Sequence, residues 1–135
     1  MIEITTKPIS PESVINRVKT SGSGCIAVYV GLIRNSSQGK KVASVEYADN
    51  KGTAKADLEK IAGEIRRRWQ LEGIAICHRI GKLEVSDINF MVAIAAAHRQ
   101  EGFAACQYAV DRFKEILPTH KKETYRDGSS HVEGD

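Results

Sequence analysis

The sequence predicts an α/β or α+β fold, because strand-like and helix-like patterns alternate along the chain and strands dominate its last part. Three apolar runs, at residues 25–33, 73–80 and 88–97, are typical of strands that are buried on both faces. Three stretches with helical periodicity lie around these runs. At 135 residues, the chain is expected to form one domain over residues 1–135 with its own hydrophobic core.

Start and stop signals bound the three predicted helices. The first begins at Ser10-Pro11, where a capping hydroxyl precedes a proline at the first helical position, and it ends at the Ser-Gly run at 21–24. The second covers about residues 53–71, and the third covers residues 99–117. One face of the second helix collects apolar side chains at helical spacing, namely Ala54, Leu58, Ile61, Ile65 and Trp69.

The remaining strands are shorter and are separated by turn residues. They are predicted at residues 1–6, 42–48, 119–125 and 130–133, with a short extension at 83–86. The NSSQG segment at 35–39 is predicted to form a flexible loop, and the RDGS segment at 126–129 a hairpin turn. The end of the chain is therefore expected to be rich in β-structure.

Composition excludes several classes of protein. No apolar run approaches the roughly 18 residues that a membrane span needs. The first ten residues, MIEITTKPIS, do not combine a basic region with an apolar core, so no signal peptide is expected and we predict a cytoplasmic protein. The net charge of +3 is too small to indicate a nucleic-acid-binding surface.

No metal or cofactor is expected from the sequence. Its four histidines show no HExxH or Cys/His ligand spacing, and no GxGxxG or Walker loop is present. The three cysteines, Cys25, Cys77 and Cys106, form no CxxC pair and each lies in an apolar run. We therefore expect buried free thiols in a reducing compartment.

A basic run, Arg66-Arg67-Arg68, lies in the last turns of the second helix. Cations are favourable there because they interact with the negative end of the helix dipole. The run is interpreted as a solvated face, and a nucleic-acid patch is the alternative.

Lys114 stands out on the third helix. On a helical wheel it falls within the face formed by Phe103, Cys106, Val110, Phe113 and Leu117. Its stem could lie on the core with the ammonium group in water. Alternatively the ammonium is partly buried, which would make the amine a usable nucleophile or general base.

Two more lysines follow Pro118. Lys121 and Lys122 are neighbours on a predicted strand, so the pleat directs them to opposite faces. One of them can face the same pocket as Lys114, and the sequence does not decide which.

Three further cations stand where predicted elements begin or end. His98-Arg99 lies between a buried strand and a helix N-terminus, where free backbone N–H groups and the dipole favour an anion. Arg34 lies between a buried strand and a loop. We expect Arg34, His98 and Arg99 to converge on one anion-sized site, although His98 could instead cap the helix or close the core, and Arg34 could simply be solvated.

Several motifs in fixed order resemble the MoaE family, the large, catalytic subunits of molybdopterin synthase. The HRxG, HRxxxF and K-x6-K-K-E elements carry most of this resemblance. The matching segments are GCIAVYVGLIR (24–34), VEYA (45–48), RRRW (66–69), IAICHRIGKLEVSD (74–87), VAIAAAHRQEGFAACQYAVDRFK (92–114) and PTHKKE (118–123).

The resemblance implies a sulfurtransferase with an α/β hammerhead fold and an additional β-rich subdomain. Such a protein transfers sulfur from the thiocarboxylated C-terminal Gly-Gly tail of a small ubiquitin-like subunit of the MoaD family to cyclic pyranopterin monophosphate. The product is the dithiolene of molybdopterin, in molybdenum cofactor biosynthesis. The large subunits are expected to form the homodimeric core of a heterotetramer.

The family's functional residues correspond to the cations already singled out. The resemblance implies that Lys114 and Lys121 are catalytic, and that Arg34, His98, Arg99 and Lys121 bind substrate. A thiocarboxylate and a phosphorylated pterin are both anions, so a cationic pocket suits both.

The chain departs from the family pattern at residues 47–54 and at His120, which replaces the family's usual tryptophan. The alternative function is therefore a non-catalytic paralogue that binds the ubiquitin-like sulfur carrier.

Overall fold

The computed structural model describes residues 1–134, which form three helices and two sheets and confirm the mixed α/β class. The helices are α1 (Pro11–Val18), α2 (Ala54–Arg68) and α3 (Arg99–Ile116). The strands are β1 (Ile2–Thr5), β2 (Cys25–Leu32), β3 (Ser36–Ser37), β4 (Lys40–Ala48), β5 (Gly73–Arg79), β6 (Gly81–Leu83), β7 (Ile88–Ala96), β8 (His120–Tyr125) and β9 (Ser130–Glu133).

The first sheet has the strand order β1-β5-β7-β2, with β1 parallel to β5 and the other pairs antiparallel. Its central strand β7 is apolar except for Asn89 because helices cover both faces. Phe90, Val92 and Ile94 pack in the same core cluster as α2 and α3, whereas Met91 and Ala93 pack with α1. Strand β2 lies at the edge of this sheet.

The second sheet is antiparallel and contains the β-rich end of the chain. Its order is β3-β4-β8-β9, and β6 also pairs with β4. A separate apolar cluster supports it, formed by Ile33, Val42, Val45, Tyr47, Leu83 and Tyr125. Because Ile33 directly follows β2, this cluster lies where the first sheet continues into the second.

Several predicted boundaries differ from the structure, and the short extension expected at 83–86 lies instead at Gly81–Leu83. Part of the expected loop at 35–39 forms β3, a hairpin with β4 whose turn contains Gln38 and Gly39, both with positive φ. The second helix ends at Arg68 because Trp69 is extended, with φ −135° and ψ 147°. Trp69 instead packs edge-on against Tyr108 of α3, at a centroid distance of 5.6 Å.

The interpretation of Arg66-Arg67-Arg68 as a solvated face is confirmed, since all three residues are exposed in the last turn of α2. No helix in residues 1–134 has the length and apolar character to cross a membrane.

Cys77 and Cys106 are buried free thiols as expected, and burial raises the pKa of each to about 11. Cys25 is only partly buried.

Glu64 links α2 to α3. Its carboxylate accepts hydrogen bonds from Arg112 Nε at 2.9 Å, Arg112 Nη2 at 3.1 Å and the Tyr108 hydroxyl at 2.9 Å. The Arg112 hydrogen bonds hold the pKa of Glu64 at about 2, below its ordinary value of 4.5. A depressed pKa contributes stability that is present above the ordinary value and lost as pH falls through the folded-state value.

We therefore expect Glu64→Gln to destabilise the fold at about pH 7 and to lose this effect as pH falls through about 2, where the wild-type carboxylate becomes protonated. The measurement is the midpoint of urea unfolding for both proteins across this range. A difference between the two proteins that does not depend on pH would contradict the assignment.

Candidate functional site

A cavity of about 290 Å³ lies where the end of β2 meets the second sheet. It collects three of the predicted cations, Arg34, Lys114 and Lys121, from three distant parts of the sequence. Its other lining residues are Tyr29, Gly31, Leu32, Ile33, Ser36, Val45, Tyr47, Asn89 and Glu123. We call it the lysine cavity.

The wheel prediction for α3 is right in part: Cys106 is buried, and Val110 and Phe113 are partly buried against the core. The buried residues of α3 are small, namely Gly102, Ala105, Cys106 and Ala109. They let the helix approach the sheet closely: a Cβ at Gly102 would lie 3.2 Å from Cys25 Sγ. Two large residues of the predicted face stay exposed instead, with Phe103 at 66% and Leu117 at 43%.

Lys114 is consequently an exposed residue, and the expected partial burial of its ammonium group is wrong for the single chain. It lies near the C-terminal end of α3 and reaches the lysine cavity from the rim. Among residues 1–134 it forms no ion pair.

The orientation of strand β8 determines which of the two adjacent lysines lines the lysine cavity. Lys121 faces the lysine cavity from a position opposite Tyr47, whereas Lys122 is exposed and does not line it. Lys121 Nζ lies 4.0 Å from Glu123 Oε2 and 3.7 Å from Glu133 Oε1. Lys121 is thus a paired cation, unlike Lys114.

Glu123 is a buried carboxylate in the cavity wall, with 7% of its surface exposed. It accepts hydrogen bonds from Ser37 Oγ at 2.9 Å and from the Tyr125 hydroxyl at 3.2 Å. Burial, together with the Glu123 carboxylate, raises the pKa of Tyr125. These hydrogen bonds hold the Glu123 side chain in place beside Lys121.

Tyr47 and Asn89 form the neutral polar part of the wall. Asn89 Nδ2 donates to the Tyr47 hydroxyl at 2.8 Å, and Asn89 Oδ1 is buried without a hydrogen-bond partner among residues 1–134. Burial raises the pKa of Tyr47 to about 12, so its hydroxyl stays protonated at neutral pH. A Cβ at Gly31 would lie 2.8 Å from Asn89 Oδ1, so a larger residue there would displace the Asn89 amide.

His98 and Arg99 lie elsewhere in the single chain. They line a second cavity of about 490 Å³ with Gly24 and Cys25, at the start of β2. Arg34 follows the other end of β2, which covers eight residues. At about 3.3 Å per residue the two ends lie roughly 23 Å apart, so one chain alone does not bring the predicted anion-binding residues together.

His98 occupies the N-cap position of α3, but neither a side-chain cap nor a place in the core accounts for its side chain. Its side chain makes no capping hydrogen bond to α3, and the residue is exposed rather than part of the core. Both His98 and Arg99 are therefore free to contact a ligand.

The prediction from sequence missed Tyr47, Asn89 and Glu123 as cavity residues. Asn89 carried a signal, because it is a polar residue within an otherwise apolar strand. Glu123 carried none, since an acidic residue on a short strand is ordinary. No group of three or more potential metal ligands occurs among residues 1–134.

Comparison with known proteins places these residues in a family. The family model described as "MoaE protein" matches residues 4–116. A molybdopterin synthase catalytic subunit from Nostoc sp. is 41% identical over 94% of this chain and 78% of its own length. The human molybdopterin synthase catalytic subunit is 35% identical over 96% of this chain and 69% of its own length.

Solved structures agree with the sequence matches. Molybdopterin synthase from Staphylococcus aureus superposes with a TM-score of 0.91 at 34% identity, covering 99% of this chain and 97% of that one. A complex of subunits 1 and 2 of molybdopterin-converting factor from Helicobacter pylori shares the fold, with a TM-score of 0.75 at 13% identity over 93% of this chain and 85% of that one. The chain belongs to the MoaE family of molybdopterin synthase catalytic subunits, enzymes of molybdenum cofactor biosynthesis.

Proposed function

We propose that this chain transfers sulfur from the thiocarboxylated C-terminus of a small ubiquitin-like subunit to cyclic pyranopterin monophosphate, forming the dithiolene of molybdopterin. The observation that carries the proposal is the meeting of Arg34, Lys114 and Lys121 in one cavity. A thiocarboxylate tail and a phosphorylated pterin are both anionic, and three cations in a confined site favour the binding of both.

The two lysines are suited to different steps. Lys121 is held between Glu123 and Glu133, with its Nζ 4.0 Å and 3.7 Å from their carboxylate oxygens. It is therefore suited to stabilise the negative charge that develops at the thiocarboxylate carbonyl. Lys114 has no paired carboxylate among residues 1–134, so its amine is not engaged by an ion pair and it is the better candidate for a general base or transient acyl acceptor.

A homodimer would complete the site. The edge strand β2, CIAVYVGL, contains no charged residue or proline, and such an edge is prone to pair with another strand. Exposed Phe103 lies beside Val28 and Val110 in an apolar surface along this edge. We infer that two copies pair through β2 about a two-fold axis.

This pairing accounts for the positions of His98 and Arg99. In an antiparallel β2–β2 pair centred on Val28 and Tyr29, the Cys25 end of one strand lies opposite the Leu32 end of the other. His98 and Arg99 of the second copy would then adjoin the lysine cavity of the first. Each dimer would contain two cavities with cations from both chains, where Arg34, His98 and Arg99 hold the phosphate.

The proposed partner is a small ubiquitin-like sulfur carrier whose Gly-Gly tail enters the lysine cavity, giving a heterotetramer around the homodimer. The complex of two subunits in the H. pylori protein, which shares this fold, supports a two-component assembly. Free thiols at Cys25, Cys77 and Cys106 are in keeping with a cytoplasmic reaction.

The test is reconstituted turnover with the purified chain, a thiocarboxylated carrier and cyclic pyranopterin monophosphate. We expect formation of the dithiolene product and loss of sulfur from the carrier. Binding of the carrier without sulfur transfer would contradict the proposal and favour the non-catalytic paralogue.

A further inference from the structure

His78 is a fully buried histidine beneath the lysine cavity, with 0% of its surface exposed. Its Nδ1 lies 2.8 Å from the carbonyl oxygen of Asn89, and its Nε2 lies 2.9 Å from Thr119 Oγ1. A carbonyl oxygen only accepts, so Nδ1 carries the proton and donates it. Nε2 then has a free lone pair, and the Thr119 hydroxyl donates to it. This assigns one neutral tautomer.

Aromatic rings fix the plane of the imidazole. Tyr47 and Phe113 each meet it edge-on, at centroid distances of 5.0 Å. Phe113 in turn stacks on Phe90 at 3.8 Å. Tyr47 lines the lysine cavity, and Phe113 directly precedes Lys114 in α3. The imidazole therefore contacts both the cavity wall and the helix turn that carries Lys114.

Thr119 belongs to the short connector that joins α3 to β8 and so separates the two lysines. Thr119 is buried, with 6% of its surface exposed. Leu117, two residues earlier in the same connector, is exposed. Leu117 has a left-handed backbone, with φ 52° and ψ 68°, which is unfavourable for a leucine. The connector thus contains a strained residue, and its Thr119 hydroxyl is tied to the core through His78.

We infer that His78 and Thr119 are positioning residues for sulfur transfer: the hydrogen bond between them fixes the connector and thereby the separation of Lys114 from Lys121. The inference rests on the proposed sulfur transfer at the lysine cavity. Neither residue lines that cavity, so neither touches the substrate. Burial lowers the pKa of His78, which keeps the ring neutral and Nε2 available as an acceptor.

The first test compares Thr119→Val with Thr119→Ser. Valine has the shape of threonine but leaves Nε2 without a donor, whereas serine keeps the hydroxyl. We expect Thr119→Val to lower the single-turnover rate of sulfur transfer by roughly 10- to 100-fold, the effect of a small misplacement of a catalytic group. The dissociation constant for the carrier should stay unchanged, and Thr119→Ser should recover a rate close to that of the wild type.

A second pair keeps the test decisive if Thr119→Val fails to fold. The amide of His78→Asn can replace Nδ1 and still donate to the Asn89 carbonyl, but it does not reach Thr119. The amide of His78→Gln can replace Nε2 and still accept from Thr119. Each variant loses one of two hydrogen bonds of nearly equal length. If the bond to Thr119 positions the lysines, sulfur transfer by His78→Asn should be much slower than transfer by His78→Gln.

Rates are compared per folded molecule, with the wild type in the same assay. Wild-type rates in Thr119→Val, or equal losses in His78→Asn and His78→Gln, would overturn the inference while leaving the proposed function in place. Absence of sulfur transfer by the wild type would instead overturn the proposed function, and with it the premise of the inference.

Discussion

Lys114→Ala should lower the rate of sulfur transfer by roughly 10³-fold, the size of effect expected for a general base or nucleophile. The loss should be specific to chemistry, because Lys114 is exposed and forms no ion pair among residues 1–134 that the fold would lose. Lys114→Arg should also fail, since a guanidinium stays protonated and cannot act as a nucleophile or base. The measurement is single-turnover transfer from the thiocarboxylated carrier.

The matched control is Lys122→Ala, which removes a lysine of similar exposure from the opposite face of β8. It should transfer sulfur at nearly the wild-type rate, whereas Lys121→Ala should be strongly impaired. Wild-type rates in Lys114→Ala would remove the catalytic role from this lysine. Loss of activity in Lys122→Ala with an active Lys121→Ala would show that the other face of the strand serves the reaction.

Arg34→Ala and Arg99→Ala chains should each be nearly inactive alone, and mixing them should restore activity. Each substitution removes a charge-assisted contact to an anionic substrate, with an expected loss of about 10²-fold. In the proposed dimer one cavity uses Arg34 of one chain and Arg99 of the other. A mixed dimer then has one cavity with both substitutions and one cavity with neither.

Random pairing of equal amounts should give roughly a quarter of the wild-type rate, because about half of the two-fold dimers are mixed and each has one intact cavity. The control is a mixture of His98→Ala and Arg99→Ala chains. Both substitutions lie at the same end of β2, so every mixed cavity carries one of them and activity should stay low. Equal rates in the two mixtures would contradict a site shared between chains.

The fold was largely predictable because its elements depend on local patterns. The apolar runs at β5 and β7 identified strands covered on both faces, and helical spacing identified the buried residues of α2 from Ala54 to Ile65. The helix boundary at Trp69 was not predictable from spacing, because Trp69 has the right position for the apolar face but leaves the helix to pack on Tyr108.

The buried face of α3 was predicted only in part, for a physical reason. The helical wheel weighted large apolar side chains, yet the helix approaches the sheet through Gly102, Ala105 and Ala109, whose small size permits close packing. Because these small residues face the sheet, Phe103 stays exposed. Apolar residues on a helix can serve a surface outside the chain, and periodicity alone does not distinguish that surface from the core.

The candidate site was predicted in part. The convergence of Lys114, Lys121 and Arg34 depends on which face of β8 turns inward and on how β2 meets the second sheet. From the sequence alone, neighbouring lysines on a strand are known only to point their side chains to opposite faces. The place of His98 in the proposed shared site could not be predicted from one chain, because that site requires a second copy.

The measurement that tests the central claim most directly is a structure of this chain bound to the carrier with its C-terminal tail in place. The terminal carboxylate should lie within about 2.7–3.2 Å of Lys114 Nζ or Lys121 Nζ, with His98 and Arg99 of the second copy at the same cavity and Lys122 outside it. A tail that ends in another cavity, or two copies whose His98 and Arg99 remain far from the lysines, would contradict the account.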